Sequence, residues 1–229
     1  MIFTTHKDIL PKSQQALWPH LSPASQLGFV LYGGTAIALQ LGHRVSVDFD
    51  FFSNAPLDRQ ALHSALPFLS TALVIQEEAD ALTVLAAQHP DADEPRVKVS
   101  FFGNLQMGRV GSPLTSDDRV LQVASLDDLM ATKLKVILQR AEFKDYFDIA
   151  NLIRNQMDLA KGLGAARAIF GESFQASESL KALTYFNDGN LHELEAVDRA
   201  LLIGSVQGVH SIPDVSLRSS QLVNQMSSD

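Results

Sequence analysis

The stretch LYGGTAIALQLGHRVSVDFDFFS, residues 31–53, decides the reading of this chain. An apolar run from Gly28 to Tyr32 reads as a short buried strand and ends at Gly33-Gly34-Thr35. A short helix over 34–41, with Ala36, Ile37, Leu39 and Leu41 apolar, is predicted next, and then a strand over 46–52. That strand carries two acids. Side chains alternate faces along a strand, so Asp48 and Asp50 point one way and Phe49 and Phe51 the other, into the core. Carboxylates about 7 Å apart on one face repel each other and are costly when half buried. A divalent cation would offset that cost, because Mg2+ is held by one or two carboxylates plus substrate phosphates. A solvated strand face would offset it too, so the pair alone leaves both readings open. The glycines shift the weighting. A glycine turn lets backbone approach a ligand, and the helix N-terminus after it offers N–H groups to an anion such as phosphate. A phosphate cradle beside a metal-binding acid pair suits a nucleoside triphosphate with Mg2+.

The bulk numbers narrow the classes. The chain has 229 residues, enough for one large domain or two small ones with a real core. Apolar residues make up 46%, against global disorder. With no cysteine, a disulfide framework, a thiolate zinc site and a cysteine nucleophile are all excluded. The first residues lack the basic start and apolar core of a signal peptide, and no apolar run approaches the roughly 18 residues that span a bilayer. The expectation is a cytoplasmic protein with no membrane partner. A net charge of −8 disfavours nonspecific nucleic-acid binding and leaves a local basic patch as the only route to RNA.

Along the chain the pattern changes at Ser125. Before it come a helix over 6–20, the elements just described, a helix starting at Pro56, and strand-like pieces over 72–76, 82–86, 96–102 and 120–123. After it nearly everything reads as helix. Ser125 is an N-cap with Asp128 three residues on, an acidic capping box, and a helix runs from there to about Arg140. Further helices are predicted over 143–154, 158–170, 176–185 and 191–204. The layout is an α/β domain over 1–124, a helical domain over 125–210, and a polar, flexible tail over 211–229.

Gly33-Gly34-Thr35 followed by Asp48-Phe49-Asp50 resembles the signature of the nucleotidyltransferase fold, the DNA polymerase β-like superfamily. More closely, YGGTAIALQLGHRVSVDFDFF, residues 32–52, resembles the AbiEii-type family, toxin components of type IV toxin–antitoxin systems. A second block, LDDLMATKLKVILQRAEFKDYFDIANLI, residues 126–153, is similar to that family's helical signature of a lysine, an arginine and a Lys-Asp-x-x-Asp group. The resemblance covers about 30–155. It implies an α+β fold, a nucleotidyltransferase-type mixed sheet with flanking helices followed by a C-terminal helical bundle. It also implies Mg2+-dependent (or Mn2+-dependent) transfer of a nucleoside monophosphate from an NTP to an acceptor hydroxyl. The acceptor it suggests is RNA, at the 3′ end of a tRNA, and the partner a cognate antitoxin protein.

Carried onto these residues, the resemblance makes Asp48 and Asp50 the metal ligands and catalytic acids. Gly33, Gly34 and Thr35 would cradle phosphate, and Lys133 would be the main cation on the triphosphate, with Arg140 and Lys144 in support. On one continuous helix those three cations fall within about 40° of one face. Asp145 and Asp148 are both candidates for the acid that closes the site, as base or as a group orienting Lys133. The stretch with Lys133, Lys135, Arg140 and Lys144 is the best candidate for a basic, RNA-binding surface. The bland alternative is a solvated helix with scattered charges, in which Lys144 and Asp148 form an i,i+4 pair.

One departure stands out. The superfamily places a third metal-binding carboxylate on a later strand, and RVKVSFF, residues 96–102, is the natural place. There Arg96, Lys98, Ser100 and Phe102 share a face, so serine takes the third position. Asp91, Asp93 and Glu94 are near in sequence but in a loop. Asp145 or Asp148 substitutes, or two acids suffice, or the chain is a degenerate binder. Other catalytic patterns do not fit: Phe51-Phe52 breaks a haloacid-dehalogenase reading, and G-x-G-x-x-G, a Walker lysine and H-E-x-x-H are all absent. His43 and Arg44 flank the acid pair as candidate substrate contacts. Two rival classes stay open: a nucleotide-binding module without transfer, and an interaction protein that docks a partner through its helical half.

Overall fold

A computed structural model describes residues 1–87 and 95–223. Asp91, Asp93 and Glu94, and the tail beyond 223, lie outside the described residues. The chain divides into two compact units. The first comprises Met1–Met107, Ser112–Ala124 and the segment from Gln221; the second comprises Gly108–Gly111 and Ser125–Ser220.

The first unit is built on a mixed sheet. In chain order its elements are β1 (Ile2–Phe3), α1 (Lys12–Leu17), α2 (Ser22–Gln26), β2 (Val30–Tyr32), α3 (Gly33–Leu41), β3 (Asp48–Phe52), α4 (Arg59–Ala65), β4 (Leu73–Glu78), β5 (Ala81–Ala86), β6 (Val97–Phe102), β7 (Leu114–Ser116) and β8 (Gln122–Val123). Among the described residues the sheet has eight strands in the order β1-β7-β8-β2-β3-β6-β5-β4. The predicted helix over 6–20 is instead α1 flanked by short 3-10 turns, with Pro11 just before it and Pro19 just past its end. The helix expected at Pro56 starts at Arg59, where the Asp58 side chain caps it by accepting from the Ala61 N–H at 2.9 Å. β1 and β7 pair with each other and were not expected from the sequence.

The core of this unit is aromatic. Phe49, Phe51 and Phe101 are fully buried, and the Phe51 and Phe101 rings stack at 5.2 Å across the β3–β6 pair. Trp18 packs on Phe49 and Phe29 packs edge-on against Phe101. This buried row fixes the register of β3, because a slip of one residue would turn both aspartates into the core.

The second unit is helical: α5 (Leu126–Val136), α6 (Phe143–Arg154), α7 (Leu159–Phe170), α8 (Ala176–Ala182) and α9 (Ala196–Gln207). Ser125 caps α5 by accepting from the Asp128 N–H at 3.2 Å. α5 and α7 approach closely because Gly162 has no Cβ; one there would meet Met130 Cγ at 2.7 Å. The tail differs from the fraying expected of Ser211 onward. Ser219 bridges to Arg109 and Asp214 pairs with Arg167 at 2.7 Å, both within the second unit. Leu222 is buried in the first, and its N–H donates to Asn54 Oδ1 at 2.7 Å.

Candidate active site

The first group of candidate residues sits at the β2–α3 turn and on β3. Gly33 has φ of +74°, a conformation L side chains avoid, and a Cβ there would stand 2.7 Å from Asp50 Oδ2. The bare Cα therefore admits the Asp50 carboxylate against the turn. At Gly34 a Cβ would collide with the Arg44 guanidinium, which also donates from Nη1 to the Val45 carbonyl at 3.0 Å. Arg44 thus brings a cation to the glycine turn. Thr35 is buried; its hydroxyl hydrogen-bonds Ser46 Oγ at 2.9 Å and donates to the Asp48 carbonyl. Its oxygen points at the backbone of the first aspartate, which suits positioning Asp48 better than direct contact with a phosphate. Ser46, the partner of this hydroxyl, had no signal in the sequence.

The acids alternate as strand geometry demands: Asp48 and Asp50 are half-buried between the buried Phe49 and Phe51. β6 runs parallel to β3 with Lys98 beside Asp48 and Ser100 beside Asp50. Lys98 Nζ lies 3.9 Å from Asp48 Oδ2. Ser100, fully buried, does take the position beside the acid pair. Among the described residues no cluster of three or more His, Asp or Glu is arranged to hold a metal. What is present is two carboxylates on one face with space made for one of them by Gly33. That donor set fits a hard cation such as Mg2+ whose remaining oxygen ligands come from substrate phosphates and water, and Mn2+ accepts the same ligands.

The second group lies in the helical unit. Lys133 of α5 is buried, and its ammonium meets Asp145 Oδ1 at 2.6 Å and Asp148 Oδ2 at 2.7 Å. Both carboxylates are fully buried on α6 and converge on the same lysine. Arg140 Nε meets Asp145 Oδ2 at 2.8 Å. Burial pushes the Asp145 carboxyl up, but the Lys133 charge and the Arg140 hydrogen bond outweigh it and hold the group below the usual carboxylate value. The neighbouring Tyr146 hydroxyl is pushed up to about 12 by burial and by the Asp145 and Asp188 charges.

The single-helix picture of this block does not hold. α5 ends at Val136, hydrogen-bonded turns carry the chain to Arg140, and α6 begins at Phe143. Lys133 and Arg140 meet through Asp145. Lys144 is set apart from them and pairs with Glu142 at 3.0 Å, not with Asp148. The expected basic surface shrinks accordingly, because Lys133 is buried and Lys135 donates to the Ser173 carbonyl. Asp128 does more than complete a capping box. Its carboxylate accepts from Ser125 Oγ at 2.6 Å and from the Val110 N–H at 2.7 Å, with Gly111 N–H at 3.4 Å from Oδ1, fixing residues 108–111 to α5. Burial raises its pKa against those hydrogen bonds.

The fold defined by this sheet and these helices is that of nucleotidyltransferases. An antigenic nucleotidyltransferase-like protein from Paracoccidioides brasiliensis superposes with a TM-score of 0.50 at 16% identity, over 89% of this chain and 95% of that one. The nucleotidyltransferase toxin MenT4 from Mycobacterium tuberculosis gives 0.50 at 14% identity, over 86% and 92%. An uncharacterized protein of Aquifex aeolicus is 28% identical over 172 residues, 74% of this chain and 79% of its own length. The chain belongs to the nucleotidyl transferase AbiEii toxin family of type IV toxin–antitoxin systems, whose model matches residues 21–212. It is a nucleotidyltransferase. Among the described residues no helix is long and apolar enough to cross a membrane.

Proposed function

We propose that the protein transfers a nucleoside monophosphate from an NTP to a hydroxyl of RNA, a tRNA 3′ end in the first instance, with Asp48 and Asp50 holding Mg2+ or Mn2+. One observation carries the reading: two carboxylates project from one face of β3, and the glycine turn leaves room for the second of them. Bound there, the metal would neutralise phosphate charge and favour in-line attack at the α-phosphorus. The acceptor oxygen forms the new bond to phosphorus, the bond to the bridging oxygen breaks, pyrophosphate leaves, and the hydroxyl proton passes to solvent.

This chain's own residues have distinct parts. Gly33 and Gly34 keep the turn open, Thr35 fixes the Asp48 backbone, and Lys98 offsets the charge of Asp48. In the helical unit Arg140, half exposed, supplies a guanidinium suited to phosphate, with Lys144 as a weaker second cation. Lys133 is assigned the role of a positively charged core group, with Asp145 and Asp148 as positioning residues that hold it. Their complete burial and their pairing with one ammonium argue against either being a general base. Membership of the toxin family supports a cognate antitoxin protein as partner.

Ser100 beside Asp50 favours a second reading, a nucleotide binder that has lost transfer. One experiment separates the two. The purified chain is incubated with each α-labelled NTP, Mg2+ and total RNA, beside an Asp48→Ala/Asp50→Ala control. Label in RNA from the wild type alone establishes transfer and gives the base. NTP binding without label establishes the degenerate reading.

A further inference from the structure

The face of the sheet that carries the acid pair also carries a cation. β6 runs parallel to β3 with Lys98 beside Asp48 and Ser100 beside Asp50. Val97, Val99 and Phe101 turn into the core, so Lys98 and Ser100 share the face of the two aspartates. On the far side of β6, β5 sets Leu85 beside Lys98 and Thr83 beside Ser100. Across β3, β6 and β5 this face therefore holds two carboxylates, one ammonium and no third acid. Lys98 is not spent on structure. Its side chain is 43% exposed, and its one ion-pair partner among the described residues, Asp48 Oδ2, stands 3.9 Å away. So long and solvated a pair contributes little to stability. The ammonium sits on a flexible stem beside the acid pair with donors to spare.

We infer that Lys98 is a catalytic residue that binds a phosphate of the NTP beside the acid pair, in place of a second divalent ion. The inference rests on the reading of Asp48 and Asp50 as metal ligands. Two-metal sites set their ions about 3.5–4 Å apart. A second ion sharing Asp48 would stand close to the Lys98 ammonium, with no carboxylate at position 100 to offset the added charge. One Mg2+ balances the two aspartates, Lys98 adds a further positive charge, and the triphosphate is the anion that answers it. A carboxylate that ligates a metal attracts an ammonium less, so Lys98 turns from Asp48 to the phosphate. Serine at position 100 and lysine at 98 are then a matched pair of changes on one strand, and the missing third carboxylate is no sign of lost activity.

The test is equilibrium dialysis of the full chain against Mn2+ and α,β-methylene analogues of the four NTPs, which cannot be transferred, counting the metal and the nucleotide bound. The wild type is expected to hold one Mn2+ per bound nucleotide. Lys98→Met should lower affinity for the analogue by at least about tenfold, the scale of one charge-assisted hydrogen bond, and Lys98→Arg should restore most of it. Because the ion pair is long and solvated, both variants should keep the wild-type Tm, and rescue by arginine separates loss of charge from loss of fold. Two Mn2+ per nucleotide in the wild type, or unchanged affinity in Lys98→Met, overturns the inference while leaving the acid pair as metal ligands. Failure of the acid-pair reading looks different: the Asp48→Ala/Asp50→Ala chain would then retain as much Mn2+ with the analogue as the wild type does, and that result overturns both.

Discussion

Gly33 and Asp50 are fitted to each other: the Asp50 carboxylate occupies the space in which any side chain at position 33 would begin, with 2.7 Å between Oδ2 and the site of a Cβ. β2 and β3 pair so that Tyr32, the residue before the glycine, lies opposite Asp50. The turn and the acid are therefore one structural unit. Gly33→Ala meets two penalties, a left-handed backbone costing about 1–2 kcal/mol and displacement of the carboxylate. The expected result is a stability loss of that size in urea melts, with label transfer falling by at least about tenfold. Unchanged transfer would detach the turn from the chemistry.

The acid pair should govern metal dependence. Asp48→Asn and Asp50→Asn each remove a charge without changing shape, and each is expected to lower transfer by at least about a hundredfold, the scale of losing one transition-state electrostatic contact. EDTA should abolish transfer in the wild type, and Mg2+ or Mn2+ should restore it. Metal binding measured by calorimetry with NTP present should be lost in both variants.

Ser100→Asp restores a third carboxylate beside Asp50, on a neighbouring strand about 4.8 Å away. Without metal, a third buried acid raises repulsion, and Tm should fall. With Mg2+ the same group becomes a ligand, and the loss should reverse. A Tm insensitive to Mg2+ would show that position 100 lies outside the coordination sphere.

Lys133→Met leaves two fully buried carboxylates without their ammonium. Breaking a buried ion cluster in this way costs about 3–5 kcal/mol. The triple variant Lys133→Met/Asp145→Asn/Asp148→Asn should regain much of that stability, because no buried charge is stranded. If Lys133→Met is as stable as the wild type by denaturant melt, the cluster is not the core of the helical unit.

Acid stability should report on paired carboxylates in both units. Asp118, against burial, is pulled down to about 2 by the Lys7 ammonium, the Ser116 hydroxyl and the Trp18 indole N–H. The unfolded value is about 3.9. A depressed folded pKa means the unfolded chain binds more protons across that interval, so the stabilisation is complete above about pH 4 and disappears as pH falls toward 2. Asp145 adds in the same direction. Asp118→Asn should flatten the acid limb of stability. Fluorescence of Trp18, the single tryptophan of the chain, reads this directly.

The acid pair was legible in the sequence because strand alternation is a rigid rule, and Phe49 and Phe51 supplied the buried half of it. The place of Ser100 followed from the same rule applied to 96–102. The interior of the helical unit was not legible in that way. Lysine, arginine and aspartate at helical spacing read as a surface stripe, and only tertiary packing reveals that Lys133, Asp145 and Asp148 face inward together. β1 and β7, two and three residues long, are too short to carry a period.

The path of the chain through its two units has a practical side. Residues 108–111 leave the first unit for the second and the chain then returns, and near Gln221 it crosses back again. A linear map drawn as head, body and tail has the seam at 124/125 but misses the excursion of 108–111 and the return near Gln221. Cutting after residue 210 to trim a loose end would unplug Leu222 from the sheet-bearing unit and take from Asn54 Oδ1 the N–H it accepts. It would also remove the Ser219 strand partner of Arg109. One truncation that looks harmless in sequence would therefore injure both units.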